Sequence, residues 1–157
     1  MNPPDQIVPK KLGDYLDVMS KSVFQAGISW RVVESKWAGT QEVFRNFDPQ
    51  TLVDLSPDEV DAMATDTRII RNRRKIEAII GNAGRMLDLE REHGGFQTYL
   101  RSHGGDFNAL VKDLRKNFKF LGDMGAYHFL YVVGEQVPDH QEFMQARRVV
   151  PGRLPRA

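Results

Sequence analysis

With 157 residues, 41% of them apolar and 27% charged, the chain has the composition of an ordinary globular domain large enough to bury a core. No apolar run approaches the roughly 18 residues of a membrane span, and residues 1–6 lack a charged-then-apolar leader pattern. The absence of cysteine excludes disulfides and thiolate metal sites and suits a reducing cytoplasm, while a net charge of +1 argues neither for nor against nucleic acid.

Residues 1–11, with three prolines and no periodicity, read as an irregular arm. From Leu12 onward Tyr15, Leu16, Met19 and Val23 fall at the spacing of one buried helical stripe. Asp17 and Lys21, four apart, are expected to pair on the solvated side. Gly27 should end this helix, and Ser29 can cap the next, which carries Trp30, Val33 and Trp37. Short helices are then predicted over Gln41–Phe47, Pro49–Leu55 and Pro57–Ala64; Asp48-Pro49 and Ser56-Pro57 are cap-then-proline starts. The longest helix should run from Asn72 to Glu92, with Ile76, Ile79, Ile80, Ala83, Met86 and Leu87 as its apolar stripe, and should stop at His93-Gly94-Gly95. A short helix over Phe96–Arg101 and an amphipathic one through Phe107, Leu110, Val111 and Leu114 follow.

The run Tyr127–Val133 suits either a strand or a buried helix, but no second convincing strand exists to pair with it. A central helix is the better reading. A last helix should start near Pro138 or Asp139 and fray by Val150. The expectation is an all-α fold of about nine helices forming a single domain over 12–150, followed by a basic tail over 151–157.

Between the last two long helical stretches lies Phe118-Lys119-Phe120-Leu121-Gly122-Asp123-Met124-Gly125. An aromatic, basic segment here enters a glycine turn followed at once by a helix. Such a turn can aim backbone N–H groups and a helix N-terminus at an anion such as a DNA phosphate. A plain connector between packed helices is the alternative. Asp123 complicates the first reading, because a carboxylate that caps this helix competes for the same donors. Arg68, Arg71, Arg73, Arg74 and Lys75 form a basic cluster that suits either DNA contact or a solvated helix entry.

Three segments together resemble the 3-methyladenine DNA glycosylase I family of helix-hairpin-helix glycosylases. They are Gln25-Ala26-Gly27-Ile28-Ser29-Trp30, Ile69 through Asn82-Ala83, and Phe118 through His140; Phe44-Arg45-Asn46-Phe47-Asp48-Pro49 fits as well. The resemblance covers about Ser22 to His140. It implies an enzyme that excises a damaged base, in expectation an alkylated purine, from double-stranded DNA. It also implies a hairpin in which Gly122 and Gly125 let the backbone approach phosphate and Lys119 adds charge. Arg71 and Arg73 would add further contacts to DNA. Gln25–Trp30 would sit at the pocket mouth, with Gly27 in the turn, Ile28 as the wedge and Trp30 as the stacking wall; Trp30 as a core anchor is the alternative.

Two departures from the family pattern matter. The family's structural zinc needs two cysteines and two histidines, whereas here only His140 remains and Met144 stands where the last cysteine would fall. No metal and no cofactor are therefore expected. The family's base-reading glutamate aligns with Ser22, so a pocket built from Ser22, Tyr15 and Gln25 has a hydroxyl, a phenol and an amide but no anion. Asp139 is the candidate catalytic carboxylate; as an alternative it caps the last helix, with Glu142 at capping-box spacing. The rival functions are a catalytically silent damage-recognition module and an interaction domain that never meets DNA.

Overall fold

The predicted stripes become nine α-helices in the computed structural model, which describes residues 5–149 and their side chains as far as Gln145. They are α1 (Leu12–Gln25), α2 (Trp30–Val43), α3 (Pro49–Val53), α4 (Pro57–Met63), α5 (Arg73–His93), α6 (Phe96–Leu100), α7 (Phe107–Asn117), α8 (Asp123–Val132) and α9 (His140–Val149). No strand occurs among the described residues; the run from Tyr127 lies in α8 as far as Val132, with Val133 as its C-cap, despite its β-branched and aromatic content. The reason is burial: Ala126, Phe129 and Leu130 are fully buried, and α8 packs against both α1 and α7. The basic tail lies outside the described residues.

The helix starts follow the cap chemistry of the sequence. Asp48 accepts from the Thr51 amide, and Ser56 and Glu59 close a reciprocal capping box. Asn72 accepts from Lys75 and Asp106 from Ala109. Each cap satisfies an amide that has no intrahelical acceptor.

One boundary differs from expectation. The helix predicted over Gln41–Phe47 is instead the end of α2 followed by a turn, Arg45–Phe47, whose three residues all have positive φ. Left-handed backbone without glycine costs roughly 1–2 kcal/mol per residue, and aromatic packing holds it here. Phe44 and Phe47 are fully buried and stacked at 5.1 Å, and Phe47 stacks on Trp37 at 5.4 Å. Asp17 is likewise not the solvated partner of Lys21. It accepts from Trp37 Nε1 at 3.0 Å and Gln41 Nε2 at 2.7 Å, tying α1 to α2, while Lys21 pairs with Glu34.

The N-terminal arm has no regular structure over residues 5–10, yet it is fastened. Ile7 N–H donates to Val132 O at 2.8 Å and Gln6 Nε2 to Tyr131 O at 2.9 Å. These bonds cap the carboxyl end of α8, the helix whose other end begins at Gly122.

Candidate nucleic-acid interface

Helices α7 and α8 form the expected hairpin. Its turn buries Phe118 and Leu121 as anchors and leaves Lys119, Phe120 and Gly122 exposed. Phe120 is the left-handed residue of the turn, at φ 59°, and Arg74 lies over its ring at 5.8 Å. Gly122 is the N-cap of α8 and supplies no side-chain cap; a Cβ there would meet nothing within 4 Å. No side chain of the cap residue therefore occupies the first amides of α8. Lys112, Arg115 and Lys116 line the outer side of α7, and with the turn and Ala26 they border an open groove of about 890 Å³.

The hairpin is braced from behind. Buried Asn82 of α5 accepts from Lys119 N–H at 2.9 Å and donates to Lys119 O at 3.2 Å. Arg85 donates to Asn117 Oδ1 at 2.7 Å, and Asn117 Nδ2 donates to the Asp113 carboxylate at 2.9 Å. Tyr99 OH donates to Asp113 Oδ2 at 2.9 Å, and His103 Nε2 stands 2.8 Å from the same oxygen. Burial pushes the Asp113 carboxyl up, but the hydrogen bonds from His103 and Tyr99 outweigh it and hold the group below its ordinary value. The Tyr99 hydroxyl is pushed well above its ordinary value by burial and by Asp113.

The second turn bordering the groove joins α1 to α2. Gly27 adopts φ 79°, which suits glycine, and Ile28 N–H closes the turn on Gln25 O at 3.1 Å. Ile28 is half-buried and packs against the core, whereas Trp30 is 62% exposed at the start of α2. Trp30 is thus no core anchor; Trp37 takes that part. Gln25 and Ser22 are half-buried on α1. A Cβ on Gly125 would lie 3.5 Å from Ser22 Cβ and 3.3 Å from Leu121 Cδ1. That glycine lets α8 approach α1 closely.

Other expected site residues are placed elsewhere. Tyr15 is two turns from Ser22, packed into the core against Phe96 and Phe129 at 6% exposure, and is not among the residues lining the groove. Its hydroxyl is pushed up by burial and by Glu135. Glu135, which sequence reasoning passed over, is buried after α8 and held by both Arg101 Nε (3.0 Å) and Nη2 (3.2 Å). The basic cluster is not one patch. Arg68 pairs with Asp66 and Glu42, and the exposed Arg73 with Asp61 and Glu77, so a DNA contact by Arg73 competes with two surface carboxylates. Lys75 is buried and donates to Phe24 O and Ala26 O, with burial pushing its ammonium below the ordinary lysine value. Arg71 is exposed without an ion-pair partner among the described residues.

Asp123 does not cap α8. It is the first residue of that helix and its carboxylate accepts from Arg115 at 2.8 Å, across the groove wall. Asp139 accepts from the Gln141 and Glu142 amides at 3.0 and 3.3 Å, which makes it the N-cap of α9; it is exposed and is not among the residues lining the groove. The zinc ligands of the resembled family have no equivalent set here. His140 packs edge-on to Tyr127, and no three His, Cys, Asp or Glu side chains among the described residues are grouped to hold a metal ion. Burial and the nearby His140 lower the His128 value.

An all-helical body with an α7–α8 hairpin beside an open groove, and an exposed indole at the start of α2, fits a helical DNA-repair glycosylase. The family model for methyladenine glycosylase matches residues 14–146, and the chain belongs to that family. It is 32% identical over 136 residues to DNA-3-methyladenine glycosylase 1 of Escherichia coli (strain K12), covering 74% of this chain and 72% of that protein. Among solved structures it is similar to the solution structure of 3-methyladenine DNA glycosylase I. The TM-score is 0.70 and the identity 30%, with 85% of this chain and 82% of that one covered. The Staphylococcus aureus 3-methyladenine DNA glycosylase I structure gives a TM-score of 0.70 at 25% identity, with 85% and 79% covered.

Proposed function

We propose that the chain is a monofunctional DNA N-glycosylase that removes an alkylated purine from duplex DNA by base flipping and hydrolysis. The observation that carries this reading is the groove: the uncapped amide end of α8 and the lysines of α7 meet the turn leading into a projecting indole. The amides and cations hold phosphate, and Trp30 supplies a stacking face for the everted base. Hydrolysis breaks the bond between the purine nitrogen and C1′, and the base leaves with the electron pair. Water bonds to C1′ and gives its proton to solvent. Alkylation that makes the purine cationic already makes it a good leaving group, so little acid–base help is required.

Ser22 in place of an acidic residue removes Coulombic attraction for a cationic base. Recognition then rests on stacking and on the Ser22 hydroxyl and Gln25 amide. Release of free base from alkylated duplex DNA tests the reading. Trp30→Ala should lower the rate by roughly tenfold or more with the melting temperature unchanged, since the side chain is exposed. Asp139→Asn keeps a good N-cap while removing the charge, so excision should stay near wild type; a tenfold fall at equal stability would restore the catalytic role for this carboxylate. The second reading, a silent damage-recognition module, is favoured by Ser22 and by the Asp123–Arg115 pair standing where phosphate would bind. Salt-sensitive duplex binding without release of 3-methyladenine, 7-methylguanine or deaminated bases would establish it.

A further inference from the structure

We propose that Lys75 and Asn82 are positioning residues, through which α5 sets the separation and tilt of the two turns that border the groove. The proposal rests on the glycosylase reading above. Both side chains are almost fully buried, at 5% and 2% exposure, and they are seven residues apart on one continuous helix. Seven residues are two turns, or about 10.5 Å along the axis, on the same face.

Each reaches a different turn. Lys75 Nζ donates to Phe24 O at 3.1 Å and Ala26 O at 2.6 Å, the carbonyls with which α1 ends. Those oxygens carry the negative end of the α1 dipole, and Lys75 has no carboxylate partner among the described residues. Asn82 pairs with Lys119 through both its amide groups, which fixes the plane of the hairpin backbone at that residue. Beside them Arg74 lies over Phe120, so one face of α5 touches the hairpin tip and the α1–α2 turn together. Ala26, whose carbonyl Lys75 holds, borders the same groove as Lys119.

The chemistry of the two side chains argues against mere filling. A buried lysine loses hydration, and an apolar residue of similar length would pack there while leaving two helix-end carbonyls unpaired. Asparagine is the short side chain that presents a donor and an acceptor in the peptide's own geometry. Base flipping requires that the strand be gripped at one place while the base is received at another, and small errors in that spacing are expensive in rate.

The test uses the full chain, alkylated duplex DNA and amide hydrogen exchange, below the melting temperature of every variant. Lys75→Met should lower the single-turnover excision rate by roughly ten- to a hundredfold while duplex affinity changes by less than about threefold. Lys75→Arg, which keeps a cation, should recover most of the rate. Exchange should quicken at the Ile28 amide in Lys75→Met and at the Lys119 amide in Asn82→Ser, with core amides of α6 unaltered. Wild-type excision in Lys75→Met, or a loss that Arg does not restore and that follows global melting, overturns the proposal. If Lys75→Met does not fold, Asn82→Ser carries the same rate and exchange comparison. A wild-type protein that releases no base defeats the glycosylase reading alone. The exchange arm then still decides: quickening confined to the two turns supports the positioning role, and unchanged or global exchange refutes it.

Discussion

The hairpin turn and the α1–α2 turn border one groove, yet the first is fastened through Asn82, Arg85, Tyr99 and His103, whereas the second takes its only outside side-chain hydrogen bonds, among the described residues, from Lys75. In the proposed function the more heavily braced turn holds a phosphate, whose shape is the same at every nucleotide. The lightly held turn leads to the Trp30 indole, which in that reading receives a base that differs from one lesion to the next. Bracing and selection then fall on different turns.

Removing the centre of the brace should break the contrast most strongly. Asp113→Ala strips the acceptor shared by Tyr99, His103 and Asn117 and should cost about 2 kcal/mol of stability, read from urea unfolding. The same carboxylate gives the contrast a pH dependence. Its folded pKa lies below the unfolded value, so its contribution is fully present above about pH 4 and is lost as pH falls through the folded value. Asp113→Asn should flatten the stability curve in that acid window. A smaller effect sharpens the comparison from the groove side. Asp123→Asn releases Arg115 and removes a negative charge from the α8 entrance. Duplex affinity should rise severalfold and fall more steeply with salt in titrations at several ionic strengths; unaltered affinity would place the phosphate elsewhere.

Much of the fold was legible because it rests on local rules. Stripes at helical spacing, Asp-Pro and Ser-Pro starts, and glycine stops located nearly every helix, and the glycine turn located the hairpin. The Arg45–Phe47 turn was not legible, since of its three residues only Asn46 has a local tolerance for positive φ; buried ring stacking holds the other two. The site was less legible for a related reason. Helical spacing puts Tyr15 and Ser22 on one side of α1, but only the positions of Phe96 and Phe129 decide that the phenol is sealed in. Charge patterning likewise shows five basic residues in eight positions without showing which meet carboxylates. Arg73 does, Lys75 turns inward to carbonyls, and Arg71 remains outside. The resemblance pointed to the two turns, while the exposure of Trp30 and the half-burial of Ile28 required coordinates.

The contrast between the two tryptophans has an optical consequence. One indole, Trp30, stands in solvent at 62% exposure; the other, Trp37, is enclosed at 7%, stacked on Phe47 and hydrogen-bonded to Asp17. An unlabelled sample thus carries two fluorophores with separate duties. A soluble quencher reaches the outer one and reports on whatever covers the start of α2, while the emission of the inner one reddens only when the helices themselves come apart.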